Sequence, residues 1–133
     1  MMCLFVSFTT FSQTTTSQAG AWNSGATWGG SVPTSGTNVV IAHDVTCNSE
    51  QTAGTITVNS GITLTVNTAG KLTANGEVTN NGTIVVTSNE NASGSLIATS
   101  SSSFNLTYNL YIPASEWKLV GIPVSGCLLY TSP

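Results

Sequence analysis

The chain has 133 residues, which leaves room for one domain of ordinary size, and only 5% of them are charged, with a formal net charge of −3. Lys71 and Lys118 are the only cations, set against Asp44, Glu50, Glu77, Glu90 and Glu116, so no basic surface exists to meet phosphate and nucleic acid is excluded as a partner. Abundant Ser, Thr and Asn make the surface polar without charge, and the steady supply of Val, Ile and Leu among them provides a core, which argues against a disordered chain.

The N-terminal run Met1-Met2-Cys3-Leu4-Phe5-Val6-Ser7-Phe8 is apolar, too short to span a bilayer, and followed by small polar residues. It reads as an export signal over residues 1–13 with cleavage near Ser12. No Lys or Arg precedes Lys71, so the basic n-region is missing and a truncated start is expected. The competing reading is a buried first strand. Nothing in the sequence predicts a transmembrane span.

Residues 14–37 form a candidate N-terminal cap. Trp22 and Trp28 stand six residues apart on a glycine-rich stretch ending in Val32-Pro33, where each indole can cover the open end of a core. The alternative is a sugar-stacking platform made by Trp22 and Trp28, with Tyr108 as a third stacking residue.

From Asn38 to Ile112 short runs alternate aliphatic residues with Thr, each bounded by Gly, Asn or Ser, the pattern of half-buried strands. Val39 to Ala42 and Val45 open the series. Ile56-Thr57-Val58, Ile62 to Val66, Leu72-Thr73-Ala74 and Val78-Thr79 continue it. A glycine precedes most runs (Gly54, Gly70, Gly76, Gly82, Gly94), in keeping with corners that need positive φ, and Asn67, Asn75, Asn80 and Asn81 tolerate the same region.

A hairpin-built sandwich and a solenoid both use such strands. The short runs, the Gly and Asn corners and the lack of long crossover connections favour a short right-handed parallel β-helix, with roughly four coils of about 18 to 20 residues. At ~4.8 Å per strand the stack is about 20 Å tall.

A search for chemistry returns bland readings. His43 is the sole histidine and adjoins Asp44, but a zinc site needs three or four ligands, so a strand-end residue is expected. A single aspartate closes the calcium-turn route, and Glu50, Glu77 and Glu90 show no pairing for glycoside hydrolysis, Glu77 being expected to face solvent. No Gly-x-Ser-x-Gly elbow occurs. Cys3, Cys47 and Cys127 have neither disulfide-framework nor metal spacing, and Cys47 and Cys127 are expected as small buried hydrophobes. Sequons stand at Asn81, Asn91 and Asn105, relevant in a eukaryotic secretory host. The expectation is therefore no catalytic residue, no metal and no cofactor.

The stretch AWNSGATWGGSVPTSGTNVVIAHDV, continued by GTITVNSGITLTV and GKLTANGEVTNNGTIVVTS, resembles the opening of parallel β-helix modules in large secreted proteins of the Bacteroidota. It also resembles, more weakly, the eight-glycine domain of animal cell-surface proteins. The resemblance implies export, often by the type IX route, and a stalk, display or adhesin role without catalysis. An accessory module of a polysaccharide-active enzyme is the alternative, with extracellular polysaccharide or cell-surface glycan as partner. Trp117 to Gly126 resembles the start of a region following the helix, at 113–126, so a longer chain is expected. Cys127 to Pro133 reads as adapter read-through.

Overall fold

The computed structural model describes residues 12–100 and 104–114. The leader-like run with Cys3, and the chain from residue 115 onward with Glu116, Lys118 and Cys127, lie outside them. The described residues form twelve strands: β1 Gln13–Thr15, β2 Gly20–Ala21, β3 Asn38–Ile41, β4 Val45–Cys47, β5 Glu50–Ala53, β6 Ile56–Val58, β7 Thr63–Val66, β8 Lys71–Ala74, β9 Val78–Asn80, β10 Thr83–Thr87, β11 Ser95–Ala98 and β12 Thr107–Asn109. A 3-10 turn at Gly25–Trp28 stands between β2 and β3.

Every strand pairing is parallel, and the strands sort into three sheets by their place in the coil. Sheet 1 runs β1-β3-β6-β9, sheet 2 runs β2-β4-β7-β10-β12, and sheet 3 runs β5-β8-β11. Each complete coil contributes one strand to each sheet in turn, so the chain winds as a β-solenoid of about four turns. Pairing starts ahead of Asn38: β1 lies on β3 with Thr14 opposite Val39, and β2 lies on β4 with Ala21 opposite Thr46. The Trp-bearing segment is thus an incomplete first coil, and the 3-10 turn packs back on it, the Thr27 carbonyl accepting from Ser17 N at 2.8 Å.

The alternation read from the sequence is the physical reason for this winding. In β7 the pattern Thr63-Leu64-Thr65-Val66 puts Leu64 and Val66 inside at 0% exposure. Register then stacks like upon like. Val45, Leu64 and Ile84 form one inner column, and Cys47, Val66 and Val86 the next. Val39, Ile56 and Val78 line sheet 1, and Ala53, Ala74 and Ala98 line sheet 3. A solenoid core of this kind draws its stability from contacts between adjacent coils.

Coil length varies more than the expected 18 to 20 residues. Val45 to Leu64 is a step of 19, Leu64 to Ile84 one of 20, but Val39 to Ile56 is 17 and Lys71 to Ser95 is 24. The corners absorb most of the difference, and the step of 24 holds the turn after β10, closed by an antiparallel bridge between Ser88 and Ser93.

The corner glycines are needed for a different reason than positive φ. Among the described residues positive φ occurs only at Gly29, Gly30 and Gly61, and at no asparagine. A Cβ at Gly70 would collide with the Cys47 carbonyl of the coil before, and one at Gly82 with the carbonyls of Asn59 and Ile62. Backbone stacked on backbone leaves no room for a side chain. The asparagines act through their side chains instead: Asn67 Oδ1 accepts from Ala69 N at 3.1 Å and Asn80 Oδ1 from Gly82 N at 3.1 Å, local turns that spare the backbone.

Candidate functional site

Trp22 follows β2, and its amide donates to the Thr46 carbonyl at 2.9 Å, which sets its side chain on the inner column of Cys47, Val66 and Val86. It is 0% exposed and Trp28 is 5% exposed. The rings meet edge to face at 4.9 Å, and Trp28 Nε1 donates to the Trp22 carbonyl at 2.7 Å. A ring so enclosed offers no face to a sugar, and the stacking alternative for Trp22 and Trp28 is corrected accordingly: the two indoles close the N-terminal end of the core. Gly29, with φ of 72°, ends the 3-10 turn and returns the chain toward β3.

Tyr108 has a different setting. It pairs with Val86 and therefore occupies an inner-column position, yet it is 43% exposed because it stands on the last described coil. Tyr111, at 41%, and Ile112, at 47%, lie beside it in the chain. Tyr111 carries no alternation signal and was not legible as an exposed aromatic. A shallow, open depression of about 220 Å³ lies between β10 and β12, bordered by Asn80, Thr83, Asn105 and Leu106. Asn80 Nδ2 donates to the Asn105 carbonyl across it at 2.7 Å, and no titratable group lines it.

His43 and Asp44 are adjacent and both exposed, but the coil sends them in opposite directions. His43 Nδ1 lies 3.0 Å from the Thr16 carbonyl and 3.2 Å from Thr16 Oγ1, against the first coil. The buried Thr16 hydroxyl accepts from the amides of Ala42 and His43 at 2.9 and 3.0 Å, so it anchors this corner. Asp44 Oδ1 accepts from Thr63 N at 2.8 Å, toward the next coil. The pair holds neighbouring coils together.

Glu50 and Lys71 are neighbours on the outer face of sheet 3, and Glu77 and Glu90 are exposed. Among the described residues no group of three His, Cys, Asp or Glu comes together. Cys47 is buried, and burial pushes its thiol above the ordinary value, opposed in part by backbone hydrogen bonds at Ser49 and Lys71. Asn81, Asn91 and Asn105, the sequon residues, are all exposed.

Within the described residues no helix is long and apolar enough to cross a membrane. The fold and its surfaces define the class as a parallel β-solenoid. Comparison of the chain with protein-family models, with curated proteins and with solved structures returns no match.

Proposed function

We propose that the chain is a non-catalytic segment of a secreted or cell-surface protein, serving as a β-helical scaffold, stalk or adhesin. The observation that carries this reading is the stack itself: three parallel sheets with a continuous aliphatic interior, whose length grows one strand spacing per coil and whose outside is hydroxyl-rich and nearly uncharged. The signal-like N-terminal run and the resemblance to secreted Bacteroidota modules support an extracellular site. The test is protease shaving of intact producing cells followed by incubation of the purified chain with a polysaccharide panel. The expected outcome is loss of the chain from shaved cells and no cleavage of any glycan. A chain protected inside the cell, or a hydrolase or lyase product, refutes the reading.

Exposure of Tyr108 and Tyr111 on the last coil favours a second reading, a carbohydrate-binding accessory module of a larger secreted enzyme. Retention on an insoluble glycan that disappears in Tyr108→Ala supports it. Failure to be retained on a broad panel sinks it.

A further inference from the structure

Sheet 2 is the widest sheet, and its outer face is a grid of threonines. Alternation in β4, β7 and β10 buries Val45, Cys47, Leu64, Val66, Ile84 and Val86, which turns Thr46, Thr63, Thr65, Thr83, Val85 and Thr87 outward. Parallel register aligns them: Thr63 lies opposite Thr83, and Thr46, Thr65, Val85 and Thr107 form one column across four coils. The grid repeats at ~4.8 Å across strands and ~6.7 Å along them. The threonine hydroxyls that tie the fold together belong to other residues, such as Thr16, Thr27, Thr37 and Thr99.

Charge is scarce on this face, with a single carboxylate at its edge. Glu50 and Lys71 lie on sheet 3, Glu77 precedes β9 of sheet 1, and Glu90 sits in the turn after β10. Asp44 stands at one corner, its Oδ1 taken by the Thr63 amide. The matching partner is neutral and ordered on the same scale, and it both donates and accepts hydrogen bonds at every point, as each hydroxyl does. β-branched side chains hold few rotamers, so the grid is fixed before it meets anything. No aromatic ring lies on the grid, since Trp22 and Trp28 are buried and Tyr108 sits on an inner column, which disfavours stacking on sugar rings.

We propose that the outer face of sheet 2 binds crystalline ice. Ice carries no net charge, is ordered in two dimensions at every face, and each of its waters offers two donors and two acceptors, which answers the uncharged, regularly spaced hydroxyls of the grid. The threonine methyls lie between the hydroxyls as apolar spacers, and Val85 is the one gap in the central column. The inference goes beyond the scaffold reading and stands independently of it, since a purified chain enters ice or is rejected wherever the cell places it.

The experiment is slow growth of a polycrystalline ice shell in a dilute solution of the full chain and a control protein of similar size. The wild-type chain is expected to be enriched in the ice relative to the control. Thr65→Lys, at the centre of the grid, abolishes enrichment, whereas Thr57→Lys, the same change on the outer face of sheet 1, leaves it intact. Val85→Thr, which completes the column, increases it. Should Thr65→Lys fail to fold by circular dichroism, Thr107→Lys on the last coil serves in its place. Rejection of the wild-type chain along with the control overturns the proposal. So does equal loss in Thr57→Lys. Retention on an insoluble glycan by a chain that ice rejects transfers the face to carbohydrate and overturns it as well.

Discussion

Replacing Trp22 by alanine removes the largest fully buried side chain among the described residues from the first described coil of a one-dimensional stack. Truncation of a fully buried aromatic costs about 3–5 kcal/mol. The edge-to-face contact with Trp28 contributes about 0.5–1.5 kcal/mol within that figure. The hydrogen bond from Trp28 Nε1 survives, because its acceptor is the Trp22 backbone carbonyl. One term runs the other way: Trp22 Nε1 is buried without an acceptor, a penalty of about 1–3 kcal/mol that alanine relieves. Taking the middle of each range, the expected loss is about 2 kcal/mol. Trp22→Phe keeps most of the ring and sheds the orphan donor, so its cost is expected near 1 kcal/mol. Urea unfolding followed by far-ultraviolet circular dichroism measures both, with hydrogen exchange showing whether β1 and β2 open before the inner coils. A Trp22→Ala chain within about 0.5 kcal/mol of the wild type refutes the capping argument, because a surface substitution behaves that way.

Three further predictions follow from the same geometry. Gly70→Ala drives a methyl into the Cys47 carbonyl and is expected to destabilise by at least about 1–3 kcal/mol, whereas Gly36→Ala, where nothing lies within 4 Å, is near neutral; paired urea melts distinguish them. Because the folded pKa of Cys47 lies above its unfolded value near 9.0, its contribution is fully present below about pH 9 and is lost as pH rises toward the folded value, so stability slopes downward with pH there. Cys47→Val, matching Val66 and Val86 on the same column, removes that slope while leaving neutral-pH stability within about 1 kcal/mol, and unfolding titrations from pH 7 to 10.5 test both statements. Asp44→Ala leaves the Thr63 amide without its acceptor and is expected to cost about 0.5–1.5 kcal/mol, whereas Glu90→Ala, exposed in a turn, costs less than about 0.5; the same melts compare them.

The strands of sheets 1 and 2 from Asn38 to Thr87 were legible because burial imposes a period of two on Ile56-Thr57-Val58 and on Thr63-Leu64-Thr65-Val66, whereas β1 and β2, which carry no such alternation, fell in the expected leader and cap. β5 was not, since Glu50-Gln51-Thr52-Ala53 carries a single aliphatic and owes its conformation to pairing with β8. Glycine positions were legible as corners, but their reason was not: the Cys47 carbonyl that forbids a side chain at Gly70 is 23 residues away in sequence. The two tryptophans marked a cap, and their availability to a ligand could not be read from their spacing. Only winding, which places Trp22 in line with Cys47 and Val66, encloses them.

What the amino-acid order determined by itself is local: which residues face in, where the chain turns, and that charge is too scarce for a phosphate-binding surface. What tertiary structure alone decided is which coil lies over which. That register divides His43 from Asp44, buries Trp22 and exposes Tyr108 on equivalent inner columns, and gathers six threonines from four strands onto one face. Alternation is fixed by neighbours in the chain, whereas register depends on residues some twenty positions apart meeting across a sheet.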